Sequence, residues 1–208
     1  MRASLSSNWT KRGLFLLCLV PFLRLADGLL TGNLGINPVE TLQHSTGDWT
    51  LRFLILTLCI TPLRKFLHLP ELTRFRRMLG LYAFFYVCLH LLTYLGPDQS
   101  FSLAGMWVDV AKRPFITVGF LAFVLLIPLA VTSTAGWIRK LGGKHWARLH
   151  RLVYVAAILG VIHYEWLVKS NKTRPLFYGA ILTVLLLWRL GNFIRTWSPR
   201  QATSSART

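Results

Sequence analysis

The sequence predicts an all-α integral membrane protein, a six-helix transmembrane bundle, on three observations. Of its 208 residues 53% are hydrophobic and only 15% are charged, whereas a soluble domain needs about 25% charged residues to cover its surface. The apolar residues gather into stretches close to the roughly 20 residues that cross a hydrocarbon core of about 30 Å. The basic residues, 24 Lys and Arg against 7 Asp and Glu, sit in short blocks between those stretches. That placement suits loops facing an anionic leaflet. A nucleic-acid binder would instead collect its cations on one soluble face, so no nucleic-acid partner is expected. Disorder is excluded by 8 Trp, 6 Tyr and 13 Phe. A disulfide scaffold is excluded because Cys18, Cys59 and Cys88 are odd in number and each lies in an apolar run.

The six spans are expected at 14–30, 49–67, 78–95, 115–135, 152–168 and 176–194. The first competes with a signal peptide, since Lys11 and Arg12 precede the apolar run LFLLCLVPFL. Arg24 falls where a cleavage region would be small and neutral, and no A-x-A pattern follows, so a retained helix is expected. The second span closes on Arg64 and Lys65, and the third opens after Arg76 and Arg77. The fifth opens after Arg148 and Arg151. The chain then divides into an N-terminus at 1–12, a transmembrane domain at 13–195 and a flexible tail at 196–208. The connections are too short for a soluble catalytic domain, and no nucleotide-binding, zinc-protease or serine-hydrolase motif occurs in them.

Orientation follows from the basic residues of alternate connections. One set, comprising the N-terminus, the second and fourth connections and the tail, holds 17, and the other set holds 5. Both termini are therefore expected in the cytoplasm.

An ionisable side chain at membrane depth is costly and marks a functional site by default. His90, His150 and His163 fall within or at the ends of spans. His90 lies about 20 Å of helix from Arg77, and His163 a similar rise beyond His150, so His90 and His163 share a depth near the outer leaflet. Two imidazoles at one depth on different helices can hold a haem between them. One such histidine alone would more often be a core residue bonded to a carbonyl; a depth-matched pair in lipid reverses that balance. No C-x-x-C-H occurs, which points to non-covalent, b-type haem.

His150 is harder to place. On a continuous helix it would lie about 140° from the His163 face. Either it binds a second haem with an unusual partner, or it serves haem carboxylates or a quinone headgroup on the inner side with Arg76, Arg77 or Arg148. His44 is expected in an external loop with Glu40 and Asp48, which together with Asp98 and Asp109 give an acidic outer face for a basic partner. His68 and His145 have ordinary surface readings. Trp49, Trp107 and Trp166 fit interfacial belts.

Three segments carry a resemblance: NPVETLQHSTGDWTLRFLILTLCITPLR, RFRRMLGLYAFFYVCLHLLTYL, and the stretch from RPFITVGF to AVTSTAGWIRKLGGKHWARLHRLVYVAAILGVIHYEW. From about residue 14 to 194 the chain resembles the MsrQ family, formerly YedZ, within the ferric-reductase-like transmembrane superfamily. Members are haem-binding membrane subunits of the bacterial MsrPQ methionine-sulfoxide reductase system. The resemblance implies one or two b-type haems on His90, His150 and His163 in an inner-membrane protein. It implies electrons drawn from membrane quinone and delivered to a periplasmic molybdopterin reductase, MsrP. Flavin mononucleotide is implied as well, with no motif to locate it. Direct reduction of external metal chelates would use the same haem site. A small transporter or a membrane anchor would need no matched histidines, and a transporter would show repeated halves with broken helices.

Overall fold

A computed structural model describes the backbone of residues 7–98 and 100–202, and the side chains of 7–97 and 100–195. Among the described residues every regular element is helical. The long helices are α1 (Asn8–Thr31), α2 (Pro38–Phe66), α3 (Thr73–Thr93), α5 (Pro114–Val131), α8 (Leu152–Leu167) and α9 (Thr173–Ala202). Shorter ones occupy connections: α4 (Leu103–Lys112), α6 (Ala135–Leu141) and α7 (Gly143–Leu149). A 3₁₀ turn at Pro70–Leu72 leads into α3, and a π-helical turn at Tyr94–Asp98 leaves it.

The six expected spans each correspond to one of the long helices. Among the described residues four stretches are long and apolar enough to cross a membrane: Asn8–Thr31, Pro70–Pro97, Pro114–Val131 and Thr173–Arg195. The other two fall short for different reasons. α8 has 16 residues, about 24 Å of helix. α2 has length to spare at 29 residues but carries Glu40, Asp48, Arg52, Arg64 and Lys65.

Helix ends follow local chemistry. Ser7, Ser102 and Thr134 accept hydrogen bonds from the backbone N–H groups of Trp9, Gly105 and Trp137, the usual satisfaction of first-turn donors. Gly32 ends α1 in the left-handed region at φ 73°, donating its N–H to Gly28 O. At α2 the Asn37 carboxamide accepts from Glu40 N and donates to the Glu40 carboxylate, with Pro38 as the first helical residue. That cap starts α2 well before residue 49, so the segment expected to be an external loop is helix. His44 sits on it, half-exposed beside Glu40.

α1 is docked on α3 by two tyrosines. Tyr82 donates to Phe15 O (2.8 Å), and Tyr86 donates to Cys18 O (2.9 Å) while accepting from Phe22 N (3.1 Å). The Tyr86 hydroxyl thus sits between the two groups of an i to i−4 bond, one residue from Pro21, where the helix ladder is already interrupted. Phe53 of α2 stacks on both rings, at 5.6 and 5.3 Å between centroids. Trp49, expected at the interface, packs inward on Phe53 and Tyr86 with Arg52 over its ring at 4.5 Å. Tyr86→Phe should cost about 1–3 kcal/mol, because Phe22 N–H and Cys18 O lose a shared buried partner. Thermal unfolding in detergent checks this, and an unchanged midpoint would show the bridge to be incidental.

Two helix pairs frame the interior: α2 packs most extensively on α3, and α5 on α8. α9 lies against α2 and α8. The backbone of α9 stays helical to Ala202, into the expected flexible tail, and residues 203–208 lie outside those described, as do 1–6 of the expected N-terminus. Arg189 lies within α9; its guanidinium donates to Leu58 O (2.6 Å) and lies over the Tyr154 ring.

Candidate functional site

Between the two helix pairs lies a cavity of about 320 Å³, within the range of small-molecule sites, about 300–1,000 Å³. Its wall is apolar for the most part, with Leu51, Leu54, Phe123 and Leu126 among its residues, and it contains both His90 and His163. Their ring centroids are 6.1 Å apart and their planes cross at 76°. Two imidazoles on opposite sides of one metal ion, each bonded at about 2.0 Å, place their ring centres roughly 6 Å apart.

Each ring is held the same way. His90 Nδ1 lies 3.0 Å from Gln43 O of α2, and His163 Nδ1 lies 2.6 Å from Phe115 O of α5. A carbonyl only accepts, so each Nδ1 carries the proton and each Nε2 keeps its lone pair. Fixing the tautomer through the far nitrogen is how proteins orient metal-binding histidines. Four residues beyond each accepting carbonyl stands a glycine, Gly47 after Gln43 and Gly119 after Phe115. Residues four apart share a helix face. A methyl on Gly47 would lie 3.3 Å from the His90 ring, and one on Gly119 would lie 2.7 Å from His163 Nδ1. Both glycines therefore open the path by which an imidazole reaches the neighbouring helix. The paired ring spacing, the aligned tautomers and the apolar wall fit a bis-histidine haem.

The sequence expectation pointed to His90 and His163, which the structure brings together. It leaves His150 apart. His150 follows α7, and α8 starts at Leu152, so no continuous helix joins His150 to His163 and the angular relation expected above does not apply. The His150 ring stacks on Trp146 at 3.9 Å, and its Nε2 is 3.1 Å from Thr132 Oγ1. Burial and the facing Arg76 guanidinium lower its pKa to about 4, so the ring is neutral at pH 7. Arg76 is half-buried, whereas Arg77 and Arg148 are exposed. Of the three arginines, Arg76 is the one coupled to His150.

The acidic face expected on the outer side is smaller than the sequence suggested. Asp48 is buried at 7% exposure and lies 3.2 Å from Arg174 and 3.5 Å from Arg52. It turns inward because one flank of α2 faces the cavity and another faces α9, where Tyr178 accepts from Arg52. Asp109 is likewise engaged, by Arg113 and by the Tyr94 hydroxyl. The Asp98 side chain lies outside those described. Glu40 remains exposed. Reasoning from sequence missed Gly47, Gly119 and Gln43; the first-turn signal Asn37-Pro38-x-Glu40 could have extended α2 far enough to find Gln43 and Gly47, whereas Gly119 lies on α5 and no such signal marks it.

A helical, membrane-spanning scaffold with two facing histidines on separate helices defines a class of haem-bundle membrane proteins. The family described as "Ferric reductase like transmembrane component" matches residues 46–161, a stretch that includes His90 and ends two residues short of His163. Similarity to individual proteins is closer still. The chain is 56% identical to the "Protein-methionine-sulfoxide reductase heme-binding subunit MsrQ" of Herminiimonas arsenicoxydans, over 86% of this chain and 84% of that one. It is 54% identical to the protein of the same name in Azospira oryzae, over 91% and 82% of the two chains. For the Caulobacter vibrioides protein of that name the identity is 50%, over 88% of each. The chain belongs to the MsrQ family.

Proposed function

We propose that this chain is the b-type haem membrane subunit of a methionine-sulfoxide repair system. In this reading it carries electrons from the quinone pool to a periplasmic molybdopterin reductase of the MsrP type. The observation that carries the reading is the His90–His163 pair, with both Nδ1–H groups committed to backbone carbonyls and both rings lining one cavity. A b-type haem supplies one-electron chemistry and a potential set by its ligands and surroundings. His90 and His163 would hold it, and Gly47 and Gly119 let both rings seat. The six long helices each span the inner membrane, with the basic connections and both termini on the cytoplasmic side.

The division of labour follows from that orientation. His150, Arg76, Thr132 and Trp146 form the inner cluster, where a quinone headgroup or a second haem would find a neutral imidazole, a hydroxyl and a cation. The outer face presents Glu40 and His44 to a soluble partner. Weak, salt-sensitive docking is usual for redox encounters.

The test is a reduced-minus-oxidised absorption spectrum of the protein purified in detergent. A b-type signature supports the reading, and a colourless preparation sinks it. Stopped-flow measurements then separate entry from exit. Arg76→Gln should slow reduction by quinol about tenfold, the scale of one lost charged hydrogen bond. The exposed Arg77→Gln and Arg148→Gln should change it less than about twofold. Glu40→Lys should leave reduction intact and slow reoxidation by the partner about threefold to tenfold at low salt, fading as salt rises. Equal slowing of both half-reactions by Arg76→Gln would count against this assignment.

A further inference from the structure

Among the described residues the buried side-chain nitrogen and oxygen atoms without a hydrogen-bond partner are Gln43 Nε2, Glu71 Oε2 and Glu165 Oε2. Of these residues, Gln43 lines the histidine cavity. Burying an amide donor without an acceptor costs about 1–3 kcal/mol, and such a group calls for a partner. The backbone of Gln43 is already used, since its carbonyl accepts from His90. The same turn of helix that orients the His90 ring therefore places Gln43 at the cavity wall.

One further feature gives the missing acceptor a sign. Arg113, at the start of α5, is the one Lys or Arg lining the cavity among the described residues. It is held at the cavity by Asp109, whose Oδ1 is 3.3 Å from Arg113 Nε and whose Oδ2 accepts from Tyr94. A guanidinium carries five N–H donors, so the Nε contact does not exhaust it. Asp48, the carboxylate of the cavity wall, does not oppose an incoming anion, because Arg52 and Arg174 both lie against it. Gln43 and Arg113 both belong to the outer ends of their helices, so donor and cation sit towards the outer mouth.

We propose that Gln43 and Arg113 form a carboxylate-recognition site at the outer mouth of this cavity, which takes a propionate of the haem. Gln43 donates an amide N–H, and Arg113 supplies charge and further donors. The site fixes which edge of the porphyrin faces the outer surface. This rests on the haem reading above and adds the recognition of the porphyrin's acidic edge, for which the two histidines have no means.

The experiment uses full-length protein made in haem-depleted cells, purified in detergent and titrated with haem or with its dimethyl ester. The ester keeps the ring and iron and lacks the carboxylates. Partition of each ligand into micelles cancels when variants are compared ligand by ligand. Gln43→Leu and Arg113→Gln should each weaken haem about tenfold or more, the worth of one hydrogen bond to a charged group. Each should change ester affinity less than about twofold by the same comparison. Gln43→Glu, nearly the same shape with the opposite electrostatics, should weaken haem at least as much as Gln43→Leu. Equal loss of both ligands would mean a general structural defect, and undiminished haem affinity would mean no contact; either overturns the proposal while the histidine pair stands. Wild-type protein that binds neither ligand would bring down the haem reading itself.

Discussion

His90→Ala and His163→Ala should each lose most of the bound haem, more than about a tenfold drop in content after purification. The two rings share one cavity at a centroid distance of 6.1 Å, so removing either would leave a haem held by one imidazole alone. The surviving ring keeps its bond to Gln43 O or Phe115 O, so the scaffold itself is not what fails. Added imidazole should restore part of the low-spin spectrum, because the vacated side chain leaves room for it inside the cavity. His150→Ala should keep the low-spin signal of the His90–His163 site, since His150 is bonded to Thr132 and stacked on Trp146, away from the cavity lining. If that substitution abolished all haem, His150 would be a ligand of the same site and the proposed pairing would be wrong.

The histidine pair was legible because depth along a helix is a one-dimensional quantity. Counting residues from a basic flank gives height, and His90 and His163 agree in height. Whether two helices face each other is a different quantity, and no run of apolar residues encodes it. The N-terminal half of α2 shows the limit well. Gln43, Thr46, Gly47 and Asp48 look like a polar loop because hydropathy assumes that a spanning helix meets lipid. Here Thr46, Asp48 and Thr50 are buried, against other helices and the cavity, where polar groups find protein partners. Asp48 was misplaced for the same reason: its counter-charges, Arg52 and Arg174, come from one turn away and from 126 residues away. The angular placement of His150 failed differently. The break between α7 and α8 is unmarked by proline or glycine, so the sequence offers nothing to stop a helix there.

Gly119→Ala should be the most damaging conservative change in the protein, and Gly47→Ala a mild one. The two glycines play the same part, each leaving an open face on one helix through which an imidazole from its neighbour reaches the carbonyl four residues earlier. Their tolerances differ. On Gly119 the added methyl would meet three atoms of the His163 ring, at 2.7, 2.9 and 3.0 Å. The ring cannot simply swing away, because its Nδ1 is held 2.6 Å from Phe115 O. Making room means surrendering that bond and displacing Nε2 from where it would hold the haem, or separating α5 from α8, which form one of the two closely packed pairs. On Gly47 the nearest ring atoms of His90 lie at 3.3 Å, so a shift of a few tenths of an ångström suffices and the Gln43 bond can persist. Loss of a bond that orients a metal-binding histidine costs about tenfold to a hundredfold in affinity. Gly119→Ala should therefore lose haem nearly as severely as His163→Ala, whereas Gly47→Ala should retain most of it with a shifted potential. Haem content, the low-spin spectrum and redox titration of the two variants make the comparison. Unaltered haem binding by Gly119→Ala would mean that His163 does not approach α5 as closely as this, and the shared device would fall with it. Combining Gly119→Ala with His163→Ala gives the internal control: if the methyl acts only by displacing the imidazole, the double variant should be no worse than His163→Ala alone, because the clash disappears with the ring.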